Sequence, residues 1–137
     1  MVIGYAYPWR HEHRRGHEEG RKDRPCAVVA LVESAPSGMR EVLVVPITHR
    51  RPDDSEVAIE LLQATKRRLG LDADRSWIVC DEVNRFVWPG YDLRPVPRSK
   101  PRRFAYGFLP PGLFAQVKRR VLGLARMPRL AVVQREP

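Results

Sequence analysis

The stretch "CAVVALVESAPSGMREVLVVPI", residues 26 to 47, decides the fold. Two runs rich in valine flank a polar octet that carries Pro36 and Gly38. β-Branched side chains suit the pleated backbone of a strand, while proline and glycine punctuate turns. The reading is a hairpin: a strand over 26–32, a turn over 33–40, and a returning strand over 41–47. The first strand has no polar residue at alternate positions, so it is expected to be buried.

Outward from this hairpin, residues 2–7 predict a first strand that Pro8 stops. Residues 8–24 show neither helical nor strand period and read as a long polar loop, a feature that in compact domains usually serves function. Residues 57–61 predict a short strand. "LQATKRRLGL" predicts one or two helical turns capped at Gly70. Residues 76–81 predict a further strand, and 85–88 are a candidate for another. The proline-rich basic stretch 89–103 reads as loop. A helix begins at Pro111, where a missing N–H costs nothing. Phe114, Val117, Val121 and Leu124 recur on one face of it. "LAVV" at 130–133 is a candidate edge strand. The expected fold class is mainly β: five or six short strands in a small, strongly curved barrel or open sheet, with one C-terminal helix packed on it. The chain of 137 residues suits one domain, 1–137.

At 43% hydrophobic and 30% charged, the composition is that of a soluble globular chain. No uncharged apolar run reaches the ~18 residues of a membrane span. The N-terminal stretch lacks the pattern of a secretory signal, so a cytoplasmic location is expected. Cys26 and Cys80 each lie inside an apolar run and read as buried free thiols. The net charge is +9, and arginine outnumbers lysine 21 to 4. Such a surplus favours polyanionic partners, nucleic acid first, and the guanidinium fork grips phosphates. A GC-rich genome would account for the arginine bias but not for the net charge.

The loop has a distinctive end. "GHEEG" at 16–20 is followed by Arg24-Pro25 and the apolar strand. Together with "VVPITH" at 44–49 and "SWIVCDEVNRF" at 76–86, it resembles the MazF/PemK (Kid) toxins of bacterial type II toxin–antitoxin systems. The resemblance covers residues 2 to about 125. It implies an SH3-like barrel of five to seven strands with a C-terminal amphipathic helix, usually a homodimer. It also implies a metal-independent endoribonuclease that cleaves single-stranded RNA by attack of the 2′-hydroxyl on the neighbouring phosphate. No cofactor is expected, and the expected partners are single-stranded RNA and an acidic antitoxin. By the same resemblance Arg24 and Thr48 are the core catalytic pair. Arg24 would hold phosphate oxygens as charge develops, and Thr48 would donate one further hydrogen bond. Asp81 falls at the family's aspartate. The second arginine that some members carry before the Cys-Asp pair is Val79 here, so the general acid is open between His17 and His49, histidine titrating near neutrality. Arg21, Lys22, His49, Arg50 and Arg51 are the expected RNA contacts.

Plainer readings stand beside these. Arg24 could clamp the loop through Glu18 or Glu19. Thr48 could end its strand through a side-chain turn. Asp81 could pair structurally. Arg50-Arg51 and Lys66-Arg67-Arg68 read as solvated charge, and Trp77 and Trp88 as core. His11, His13 and His17 could be a metal site, which the surrounding arginines disfavour by repulsion. A rival function is a non-catalytic nucleic-acid-binding barrel, or a gyrase-poisoning one of the CcdB type.

Overall fold

The computed structural model describes residues 1–7, 22–34, 39–87, 93–94, 96–97 and 105–134. The hairpin is its centre. β2 (Lys22–Ser34) and β3 (Met39–Thr48) run antiparallel, from Cys26 opposite Pro46 to Ser34 opposite Met39. The register shifts between Val28 and Ala30, where a bulge takes up one residue.

Each long strand changes partner along its length, and this bends the sheet. β2 pairs residues 22–27 with β1 (Val2–Tyr7) on one side and 26–34 with β3 on the other, so that only Cys26 and Ala27 are paired on both. On its other side β3 pairs Glu41–Val44 with β6 (Glu82–Val87), then Ile47 and Thr48 with β5 (Trp77–Val79). The change falls at Val45-Pro46, and a proline has no N–H to give to a continuous ladder. β4 (Ala58–Glu60) extends the β5 side, preceded by a single 3-10 turn, Ser55–Val57. β7 (Leu93–Arg94) and β8 (Ala105–Gly107) flank β1. β9 (Ala131–Gln134) lies parallel to β6.

Successive strand residues point to opposite faces, and here both faces are buried. Val2, Ala27, Val45 and Val83 enter one core with Ile78 and Leu61. Their neighbours Ile3, Cys26, Val44 and Phe86 form a second core on the other side. Double burial accounts for the apolar runs at 26–29 and 42–47; beyond the bulge Leu31 is 57% exposed, so the buried strand expected over 26–32 is buried only in its first part. The first core is covered by α2 (Pro111–Arg126), whose Val117, Val121 and Leu124 are buried, with Phe114 at the margin. The short helix α1 (Gln63–Leu69) closes one end. Gly70 follows it at φ +72°, its N–H donating to Arg67 O and that of Leu71 to Lys66 O at 2.9 Å. Glycine adopts this left-handed turn without strain.

The mainly-β, barrel-like class with a C-terminal amphipathic helix therefore stands, with nine strand segments among the described residues. The strand count rises from the expected five or six, and residues 33–34 and 39–40, read as turn, are paired strand. Other local expectations are corrected too. Lys22–Arg24, read as loop, are strand, because β1 offers them a partner: Arg24 lies opposite Tyr5 and Lys22 opposite Tyr7. Leu93–Arg94, also read as loop, pair with β1. Ala105–Gly107 form a strand that no local signal announced, since its period is too short to show. Both cysteines are buried free thiols, as expected. Burial raises the Cys26 thiol, against the opposing charge of Arg24, and pushes that of Cys80 up to about 12. Among the described residues, no helix is long and apolar enough to cross a membrane.

Leu124 is 2% exposed whereas Leu122, two positions earlier, is 53% exposed. Leu124→Ala should cost about 2–5 kcal/mol in urea unfolding, the usual penalty for a buried leucine, while Leu122→Ala should stay within about 0.5 kcal/mol. The two thiols should resist an aromatic disulfide reagent at pH 8 in the native protein and react promptly in denaturant.

Candidate active site

A groove of about 760 Å³ opens where β2, β3 and α1 meet. Arg24 and Pro25 reach it from β2, Thr48 from the end of β3, and His49 and Arg50 from just beyond. Residues from separate parts of the chain thus converge because β2 and β3 are adjacent strands. Arg24 is half-buried on the strand, while His49 and Arg50 are exposed. Thr48 Oγ1 accepts the backbone N–H of Arg50 at 3.2 Å. The expected side-chain turn is therefore present, and the hydroxyl proton stays available to donate to a bound group.

The opposite wall was not foreseen. Lys66 belongs to a charge run that read as solvated, and its neighbours Arg67 and Arg68 are exposed as expected. Lys66 itself is 1% exposed. Its place on the inward face of α1 sends the ammonium under the loop that follows. There it donates to Asp72 Oδ1 at 2.8 Å, Ser76 Oγ at 2.7 Å and the Asp74 carbonyl. Three acceptors match the three protons of an ammonium, which is the condition for burying one. Asp72 also accepts the Asp74 N–H at 3.1 Å, and its Oδ2 meets His49 Nε2 at 2.8 Å. Partial burial pushes the Asp72 carboxyl upward. The Lys66 hydrogen bond, the charges of His49 and Lys66 and the Asp74 N–H outweigh it, so the group sits below the ordinary carboxylate range.

His49, Asp72 and Asp74 bring ligand-type atoms within 4.8 Å of one another. The Lys66 ammonium already occupies Asp72 Oδ1 from beneath and offsets that carboxylate's charge, and a second cation there would meet its repulsion. The described geometry therefore argues against reading the cluster as a metal centre.

The other expected residues fall elsewhere. Arg51 lies along a neighbouring groove with Glu60, Arg75 and Trp77. Trp77 is buried, with the Arg75 guanidinium 5.0 Å from its ring centre. Asp81 does not line the Arg24 groove. Burial pushes its carboxyl upward, with Asp54 adding to the rise, while its own backbone N–H and Arg129 oppose it. Its backbone carbonyl accepts the Ala131 N–H at 2.8 Å, tying β9 to the start of β6. Lys22 lies in β2 opposite Tyr7. His17, Arg21, the 11–17 histidine cluster, Glu18, Glu19 and Trp88 lie outside the described residues. A sequence signal for Asp72 and Ser76 existed only in part: "LDADRS" places two carboxylates and a hydroxyl just after a capped helix, a spacing that suits a loop gathered around one cation. Compared with protein-family models, curated proteins and solved structures, the chain matches none.

Lys66→Met should release the 70–76 loop at a cost on the order of 1–3 kcal/mol, because buried Ser76 and the exposed Asp72 and Asp74 lose the donor that gathers them, while exposed Arg67→Met should be neutral. Urea titration and amide exchange at Asp74 read the difference. The stability that Asp72 lends is present above its unfolded pKa of about 4 and is lost as pH falls through the lower folded value. Asp72→Asn should flatten that acid limb of the stability curve.

Proposed function

We propose that the chain is a metal-independent endoribonuclease of the MazF/PemK toxin type, cleaving single-stranded RNA through attack of the 2′-hydroxyl on the adjacent phosphate. The observation that carries this reading is the convergence of Arg24, Thr48, His49 and Arg50 on one groove. Two further features support it: the +9 net charge and a strand that holds Arg24 immediately before Pro25. The transition state gathers negative charge on non-bridging oxygens. A guanidinium can hold two of them at once, and the Thr48 hydroxyl can donate one further hydrogen bond to either. Arg50 and further surface arginines would supply sequence-independent backbone contact.

On this reading the protein acts in the cytoplasm as one half of a toxin–antitoxin pair, as a homodimer. Its antitoxin would be an acidic segment that folds over the cationic groove, with an affinity that falls as salt rises.

Purified protein incubated with long single-stranded RNA should cut it, and excess EDTA should not stop the reaction. Arg24→Ala should lose about 10²–10³ in rate with an unchanged melting curve. Arg24→Lys should also fail, because an ammonium cannot make the paired contact. Thr48→Ser should keep activity that Thr48→Ala loses. A 2′-deoxy substitution at the scissile step should leave binding intact and abolish cleavage. Binding without cutting by the wild type would make the chain a non-catalytic RNA-binding barrel. Cleavage of the 2′-deoxy substrate at the same bond would make water the nucleophile.

A further inference from the structure

We infer that His49 is the general acid of this cleavage and that Asp72 is its positioning residue, held in turn by the buried ammonium of Lys66. The inference rests on the endoribonuclease reading and adds a proton donor to it.

The geometry is specific. His49 directly follows Thr48 and opens on the same groove as Arg24. Its Nε2 is committed to Asp72 Oδ2 at 2.8 Å, which leaves Nδ1 as the nitrogen available to a bound molecule. The other carboxylate oxygen, Oδ1, is fixed by Lys66 Nζ at 2.8 Å and by the Asp74 N–H at 3.1 Å. Asp72 is thus held at both oxygens and has little freedom to turn. An exposed histidine–carboxylate pair by itself contributes little to stability. Burying a lysine beneath such a pair is costly unless every proton is matched, as it is here. The resulting support is rigid and ends in an imidazole over the groove. That is the arrangement in which a carboxylate sets the orientation of an acid–base histidine.

The 2′-oxygen forms its bond to phosphorus and gives up its proton to solvent water. The P–O5′ bond breaks, and its electron pair goes to O5′. The imidazolium of His49 delivers the Nδ1 proton to O5′, giving a 5′-hydroxyl and a 2′,3′-cyclic phosphate. The Nε2 proton stays on His49, donated in a hydrogen bond to Asp72 throughout, and solvent returns a proton to Nδ1. Arg24 and Thr48 act on the non-bridging oxygens and take no part in the proton transfer.

The test compares two substrates of one sequence, ordinary RNA and RNA with sulfur in place of O5′ at the scissile phosphate. A thiolate leaves without protonation, so it has no need of a general acid. His49→Ala should slow cleavage of ordinary RNA by about 10²–10⁴ and cut the sulfur substrate at close to the wild-type rate. Asp72→Asn should lose at least about tenfold on ordinary RNA, in kcat more than in KM, and be rescued by sulfur in the same way. Arg24→Ala should be slow on both substrates. Thermal melts of each variant separate loss of chemistry from loss of fold. The inference is overturned if His49→Ala is equally slow on both substrates, which makes His49 a binding or loop contact, or if it cleaves ordinary RNA at the wild-type rate. In either case the wild type still cuts RNA and the endoribonuclease reading survives. A wild type that cuts neither substrate removes that reading and this inference together.

Discussion

The buried ammonium of Lys66 is the constraint on which the groove depends. An amine that is 1% exposed must find three acceptors, and in this chain all three lie in the loop after α1: Asp72, the Asp74 carbonyl and Ser76. The loop is therefore wrapped around one point charge before it enters β5. That wrapping turns Asp72 toward His49 and sets one wall of the groove opposite Arg24. The sheet supplies the other wall. β2 brings in Arg24 and β3 brings in Thr48, and their relative placement follows from the antiparallel register. Charge satisfaction on one side and strand pairing on the other meet over a cleft, although neither alone would create it.

The centre of the β2–β3 hairpin was legible because residues 26–32 and 42–47 are apolar runs, much of them buried in the two cores. α2 was legible because Pro111 starts it and Val117, Val121 and Leu124 repeat on one side. α1 was legible from Gly70, whose left-handed turn ends it. The extra strands were not. β7 and β8 are two and three residues long, too short for any period, and both exist only because β1 offers them an edge. Lys22–Arg24 are strand for the same reason, although their composition is that of a polar loop. These are tertiary effects on backbone whose local preference is weak.

The candidate site divides along a similar line. Arg24, Thr48, His49 and Arg50 were legible as residue types suited to phosphate chemistry, and they share the groove. Asp81 and Arg51 lie outside it, because adjacency in sequence to an apolar strand or to another arginine does not say which way a bent sheet turns a side chain. Lys66 was misread as surface charge, since a run of three basic residues on a short helix looks solvated until the inward position is known. Asp72 could be weighed only once its contacts to both His49 and Lys66 were visible. A buried charge network is long-range in sequence and compact in space, and that combination is what pattern reading handles worst.

The central claim is that the Arg24–Thr48–His49 groove holds the scissile phosphate of RNA. The most direct measurement is a crystal structure of the protein with a short single-stranded RNA made uncleavable by one 2′-deoxy residue at the cutting step. The account predicts a phosphate in the groove, with Arg24 on its non-bridging oxygens, Thr48 Oγ1 within hydrogen-bond distance, and His49 Nδ1 facing O5′. An RNA seated on another face, with this groove empty of phosphate, would contradict it.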